Sequence, residues 1–279
     1  MGGGLEAELR AARGAGRTLL MPFVTGGIGR DWTEVLLAYQ AAGADAIEIG
    51  LPFSDPMLDG ATIQRASDRA LARGTTVDSI LAELVAVRRR VRVPLVLSTY
   101  ANLVLRSGAA AFCRRLAKVG VAGLIVPDLP LDESAELEAA AADAGVDLVL
   151  LVAPATAADR LAEICARSRG FVYAVSVMGT TGERAALADS AAELAARVQA
   201  VSDRPVLIGF GVSGPAQAVQ AGRAGDGVVI GAALMRRVLD GATPGDLGRD
   251  VAALRHALDA HPREVPAGTA HAEVPGHRR

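Results

Sequence analysis

"AAGADAIEIG", Ala41–Gly50, decides the fold. A run of small residues of helical character ends at Gly43, and three residues later the chain turns into a short apolar run, Ala46–Gly50. The same joint recurs as "KVGVAGLIVPD" (Lys118–Asp128), "DAGVDLVLLVAP" (Asp143–Pro154) and "RAGDGVVIG" (Arg223–Gly231). A glycine before the strand suits a helix C-cap in the left-handed conformation, and near-continuous Val, Ile and Leu suits a parallel strand covered on both faces. Reading outward from these joints gives eight strands: Leu19–Thr25, Ala46–Gly50, Pro94–Ser98, Gly123–Pro127, Asp147–Val152, Phe171–Ser176, Pro205–Gly209 and Gly227–Gly231. Helical patterns rich in Ala, Leu and Arg separate all of them, with no long linker. Eight such units predict an α/β fold, a single closed (β/α)8 TIM barrel, over an open doubly wound sheet. The barrel is expected over residues 18–255, after an N-terminal segment, 1–17, and before a polar tail, 256–279. Met1–Gly4 and the stretch rich in Gly and Pro from about His261 are expected to be disordered.

Composition excludes several classes of function. The chain has 279 residues, 51% hydrophobic and 22% charged, enough to bury one large core. A formal net charge of −2 and a pI near 6.1 leave no basic footprint for nucleic acid, and no run of like charge seeks a membrane surface. Cys113 and Cys165 stand singly in helical segments without CxxC spacing, which suits two buried reduced thiols and a cytoplasmic protein. The N-terminus lacks the apolar core of a signal peptide, and Glu6 stands where a myristoylation signal needs Ser or Thr.

The strand assignment makes one residue conspicuous. With Ile47 and Ile49 facing the outer helices, Glu48 faces the barrel interior near the C-terminal end of its strand, where such barrels keep their sites. Two roles are open to it: a structural carboxylate held by neighbours, or a catalytic acid–base. The following loop, stiffened by Pro52, Pro56 and Gly60, carries Asp59 just before the helical "ATIQRASDRAL". Asp59 is likewise either a carboxylate beside a helix N-terminus or the second member of an acid–base pair. Glycine-rich turns then follow strands seven and eight, "IGFGVSG" (Ile208–Gly214) and "VIGAALM" (Val229–Met235), the positions of the recurrent phosphate site of these barrels. After strand six, "MGTTGER" reads as a lid. The only lysine, Lys118, ends a helix on the opposite face, and no histidine precedes His256. Schiff-base and histidine-metal aldol chemistry are therefore unavailable, no metal site is expected, and bond cleavage must run on carboxylates.

These segments, with "PFVT", "GADAIEIGLPFSDPMLDGATIQRA", "TYANLVLRSG", "GVAGLIVPDLPLDE" and "YAVSVMGTTGER", resemble in order and spacing the tryptophan synthase α chain, over about Thr18 to Asp240. The resemblance implies retro-aldol cleavage of indole-3-glycerol phosphate to indole and glyceraldehyde 3-phosphate. It implies that Glu48 is the acid–base catalyst and that Asp59 holds the indole N–H. Phe23, Tyr100, Tyr173 and Phe210 match the indole pocket or its surroundings, each with an alternative role as core filler. Thr181 is placed among the substrate-binding positions, and Gly182, Gly211, Gly231 and Ala232 match the phosphate positions. Three departures stand out: Ala232 replaces a usual serine, "GGIG" replaces the usual turn after "PFVT", and Ala122 stands where an acidic residue is common.

The resemblance also implies a partner, a pyridoxal-phosphate-dependent tryptophan synthase β chain in an α2β2 assembly, while the α chain needs no cofactor of its own. The expected docking surface is the loop Pro52–Asp59 with the turn Tyr100–Asn102, naming Pro52, Phe53, Asp55, Met57 and Asn102, with Leu51, Phe53 and Met57 as exposed contacts. A free-standing indole-3-glycerol phosphate lyase and a non-catalytic phosphate-binding barrel that activates a β chain are the alternatives.

Overall fold

The computed structural model describes residues 4–175, 184–209 and 211–262. Eight parallel strands close in chain order into a barrel: β1 (Leu19–Thr25), β2 (Ile47–Gly50), β3 (Leu95–Ser98), β4 (Gly123–Ile125), β5 (Asp147–Val152), β6 (Val172–Val175), β7 (Val206–Gly209) and β8 (Gly227–Ile230). Where these fall short of the expected spans, proline is the main reason. Pro94 and Pro205 lack the N–H that a ladder needs, so β3 and β7 begin one residue later, and β4 stops ahead of Pro127.

Helices fill every crossover. α1 (Leu5–Gly14) precedes β1, α2 (Trp32–Ala41) follows it, and α3 (Ala61–Ala72) and α4 (Val77–Val87) follow β2. α5 (Ala101–Leu105) and α6 (Ala109–Val119) follow β3, α7 (Ala135–Ala144) follows β4, and α8 (Ala158–Arg167) follows β5. α9 (Arg184–Gln199), α10 (Pro215–Ala224), α11 (Ala232–Leu239) and α12 (Pro244–Ala260) complete the described chain, so helical structure continues five residues past the barrel limit expected at residue 255. Three of the four joint glycines are left-handed as expected, Gly43, Gly120 and Gly145. Gly225 is not: it is extended, and glycine is required there because a Cβ would stand 2.8 Å from the Val206 carbonyl oxygen.

The core has two layers. Outward residues such as Ile47, Ile49, Leu95 and Leu97 pack under the helices, and inward ones such as Met21, Ala46, Val96 and Val149 fill the barrel. The N-terminal segment completes the inner layer. Leu5 and Leu9 of α1 are buried in the same cluster as Phe171, and a Cβ on Gly123 or Gly170 would meet the Leu5 methyl at 2.6 or 2.7 Å. α1 is therefore a plug in the N-terminal mouth. Both cysteines are buried and free. Among the described residues, no helix is long and apolar enough to cross a membrane, and no cluster of metal-binding side chains exists.

Candidate active site

Glu48 sits in β2 in register with Phe23 of β1 and Val96 of β3, and is 4% exposed. The inward orientation read from the alternation of "IEIG" therefore holds. The hydroxyls of Ser98 and Tyr173 stand beside its carboxyl and favour the charged form, but burial dominates and, with the charge of Asp59, pushes its pKa up to about 7. Its Oε2 atom has no hydrogen-bond partner among the described residues. Two glycines make the space around it: a Cβ on Gly50 would lie 2.5 Å from the Phe23 ring, and one on Gly209 would lie 2.5 Å from the ring of Tyr173. Tyr173 in turn lies against Phe171, with ring centroids 5.9 Å apart, so the inner core fixes the tyrosine beside Glu48.

Asp59 is held on a braced loop. Its N–H donates to Pro56 O at 3.1 Å, and Gln64 Nε2 donates to Asp59 O at 2.9 Å. The Leu58 N–H donates to the Tyr100 hydroxyl at 3.1 Å, and that hydroxyl also favours the charged form of the Asp59 carboxyl. Burial outweighs this and raises the Asp59 pKa. Burial and the Asp59 charge together push Tyr100 up to about 12. Tyr100 is fixed from below, because Asp128 Oδ1 accepts the Ala101 N–H at 2.8 Å where α5 begins. Asp59 itself makes no side-chain cap at the N-terminus of α3, whose N-cap is Gly60.

Phe23, Asp59 and Tyr100 line one cavity of about 330 Å³, counting its open mouth, at the C-terminal end of β1 to β4. Of the residues expected from the sequence, the structure thus gathers Phe23, Asp59 and Tyr100 around this cavity and sets Glu48 and Tyr173 beside them. At the neighbouring rim, Gly211 has φ +41°, Gly214 is the N-cap of α10, and Gly231 is the N-cap of the eight-residue α11, which starts at Ala232. The first amides of a helix have no intrahelical acceptor, and Gly231 lies against Phe23, so N–H groups without an intrahelical partner border the aromatic wall. Thr181, Gly182 and Phe210 lie outside the described residues, as does most of "MGTTGER".

The docking loop needs a correction. Leu51 is 4% exposed, not a surface residue, because its N–H joins Ser98 O at 2.9 Å and draws it into the core. Pro52 is also buried, and Phe53 is half-buried and stacks on Tyr100 at 5.1 Å. Asp55, Asn102 and above all Met57, 83% exposed, remain at the surface.

Sequence reading missed the hydroxyls. Ser98 and Thr99 line the cavity with Thr25, the last residue of "PFVT". The alternation argument applied to Glu48 would have found Ser98, two residues beyond inward Val96 on β3.

A family model described as tryptophan synthase alpha chain matches residues 9–257. The tryptophan synthase alpha chains of Synechococcus elongatus and a Picosynechococcus species are 44% and 45% identical, over 90% and 87% of this chain and 96% and 92% of theirs. Among solved structures, Mycobacterium tuberculosis tryptophan synthase matches with a TM-score of 0.84 at 38% identity, covering 92% of this chain and 99% of that one. The alpha subunit from Legionella pneumophila also matches at 0.84, at 28% identity, over 92% and 98%.

Proposed function

The chain belongs to the tryptophan synthase alpha chain family, whose reaction is cleavage of indole-3-glycerol phosphate to indole and glyceraldehyde 3-phosphate, and from that premise we propose that Glu48 and Asp59 carry the reaction here. The observation that supports this reading is the state of Glu48: buried, with an unpartnered oxygen and a pKa near 7, beside a second carboxylate on the substrate cavity. A group with that pKa both gives and takes a proton at neutral pH.

The steps balance on Glu48 alone. Its carboxyl proton goes to the indole ring carbon that bears the glycerol chain, and the positive charge that develops at the ring nitrogen is stabilised by anionic Asp59. The Glu48 carboxylate then takes the proton of the adjacent glycerol hydroxyl. The oxygen pair closes the aldehyde C=O, the carbon–carbon bond breaks, and its electrons restore the aromatic ring. Glu48 ends protonated, as it began. Phe23, Tyr100, Tyr173 and Phe210 would enclose the ring, with Thr181 among the substrate contacts. The amides around Gly182, Gly211, Gly231 and Ala232 would hold the phosphate. The reaction calls on no cofactor of this chain, and pyridoxal phosphate belongs to the β partner.

We further propose a cytoplasmic α2β2 assembly docked through Asp55, Met57 and Asn102, with Pro52 and Phe53 supporting that loop from beneath. The test is to incubate the purified chain with indole-3-glycerol phosphate, with and without the β chain of the same organism, and to measure indole. Slow release, strongly accelerated by the β chain and with the acceleration removed by Met57→Asp, is the expected result. Met57 is a cleaner probe than Phe53, whose ring also supports Tyr100. Absence of indole under both conditions overturns the catalytic reading, and full activity unchanged by the β chain would promote the free-standing lyase.

A further inference from the structure

Glu48 has two tasks in the proposed reaction, and burial favours only one of them. A carboxyl taken out of water is stabilised as the neutral acid, which suits the first proton transfer, whereas the second transfer needs the carboxylate. The charged form then depends on donors from the barrel wall. Among the described residues, the titratable groups that face Glu48 are Asp59 on the loop before α3 and Tyr173 on β6, with Tyr100 beyond Asp59. The Asp59 charge works against a second anion. Tyr173 stays a neutral donor, because burial and Glu48 itself hold its pKa well above the usual phenol value.

The second donor is Ser98. β2 and β3 are in register at Glu48 with Val96 and at Gly50 with Ser98. Val96 belongs to the inner layer and Leu97 to the outer one, so Ser98 is the next inward position and lies diagonally above Glu48 on the same face. Gly50, its direct neighbour on β2, offers it no side-chain partner, and the Glu48 carboxyl is the acceptor in front of its hydroxyl. The backbone that carries it is fixed: Ser98 O accepts the Leu51 N–H at 2.9 Å, and Thr99 donates its N–H to Ile125 O at 3.0 Å. Four strands separate β2 from β6 in the closed barrel, so Tyr173 reaches the carboxyl from across the interior and Ser98 from the adjacent strand.

We propose that Ser98 is a positioning residue for Glu48: its hydroxyl donates to the carboxylate left when the ring carbon takes the proton, and so lets one buried group act first as acid and then as base. This rests on Glu48 being the proton carrier. Ser98 itself gives up no proton. Its hydroxyl keeps its hydrogen while the carboxylate collects the next one from the glycerol hydroxyl.

The test compares the full-length chain with Ser98→Ala, each with and without Glu48→Gln. Denaturant titrations across pH read the carboxyl with no substrate present. A group whose folded-state pKa is raised contributes stability that is lost as pH rises through that value, so a carboxyl deprived of a donor loses it at higher pH. The end of that fall, at about pH 7 in the wild type, should move up by about one unit in Ser98→Ala and should not move in the Glu48→Gln background. The alkaline limb of kcat/KM should move up by a similar amount, with kcat on the plateau about tenfold lower and KM little changed. A lower Tm with both pH midpoints unmoved would mean that Ser98 serves only the fold, and it overturns the proposal. A stability shift that persists when Glu48 is replaced by glutamine overturns it as well. Indole release by Glu48→Gln separates this from the reading beneath: an inactive Glu48→Gln with unmoved midpoints in Ser98→Ala removes Ser98 alone, whereas a fully active one removes the acid–base assignment and the proposal with it.

Discussion

Buried and half-buried carboxylates occur at both ends of the barrel, and the two sets differ in what they face. At the N-terminal end, Asp45 accepts the Leu20 N–H at 2.8 Å and lies between Arg17 and Arg255. Asp147 accepts the Glu6 N–H at 3.1 Å, and Asp226 accepts the Val206 N–H at 2.8 Å with Arg13 beside it. At the C-terminal end, Glu48 and Asp59 have hydroxyls and each other, and no ion pair among the described residues. Burial raises the pKa of Asp45 and Asp147 just as it raises those of Glu48 and Asp59, so the shift does not separate the two ends. The partners do. An acid surrounded by cations and strand N–H groups stabilises the fold, whereas one left with an open oxygen is available to a substrate.

The contrast is broken or sharpened most strongly at Glu48. Glu48→Gln keeps volume and hydrogen-bonding capacity but cannot carry a proton, so kcat should fall by up to about 10⁴-fold while the chain remains folded. Near-wild-type indole release by a folded variant would remove the assignment. The mirror experiment lies at the other end. Asp45→Asn removes the anion of Arg17 and one of the two paired with Arg255, whose other partner is Asp259, and should lower the Tm with kcat unchanged. A variant that keeps its Tm but loses turnover would erase the distinction between the two ends.

pH gives a third test with a definite sign. Glu48 has a folded-state pKa of about 7 against an ordinary value of 4.5, so the folded chain holds a proton that the unfolded chain releases. Its contribution is most favourable below about pH 4.5 and is lost as pH rises to about 7, a fall of roughly 3 kcal/mol. Asp59, also raised, acts in the same direction. Denaturant titrations across that range should show the fall in the wild type and a much smaller one in Glu48→Gln. A stability that climbs steadily from pH 4.5 to 7 in both proteins would mean that Glu48 is charged in the fold.

Which parts were legible follows from the same physics. The barrel was, because parallel strands buried on both faces must be apolar and must alternate with helices, and the Gly43, Gly120 and Gly145 joints mark the boundaries. Glu48 was, because a carboxylate inside "AIEIG" breaks the apolar pattern. Thr25 and Thr99 were not, since a threonine suits any strand end and only the closed barrel brings it to the cavity wall. The plug was also hidden: Leu5 and Leu9 have ordinary helical spacing, and their burial depends on the space left by Gly123 and Gly170, far away in sequence. Leu51 was misread because a proline-rich loop looks exposed until a backbone hydrogen bond to Ser98 draws its first residue inward.

Asp59→Asn gives a smaller effect than loss of the proton carrier. The amide still fills the braced loop and its oxygen can accept the proposed hydrogen bond from the indole N–H, so KM should change little, but it no longer offers a full charge to the ring cation. A drop of about 10²-fold in kcat is expected. An effect confined to KM would reassign Asp59 to substrate binding and make the top of the barrel a one-carboxylate site.

The smallest expected effect lies where side chains matter least. The proposed phosphate site relies on backbone N–H groups at Gly211, Gly231 and the start of α11, and Ala232, the first residue of that helix, is exposed and adds no donor. A hydroxyl at this position could reach a phosphate oxygen that the backbone amides already orient. One added hydrogen bond contributes on the order of 1 kcal/mol, which corresponds to at most about tenfold in affinity. Ala232→Ser should therefore tighten glyceraldehyde 3-phosphate binding by up to about tenfold in a direct titration, with kcat unchanged, because the new bond forms equally in ground state and transition state. A change in kcat without a change in affinity would show that the phosphate end shapes the chemistry at Glu48, and would overturn the proposed division of binding to the backbone and proton transfer to side chains.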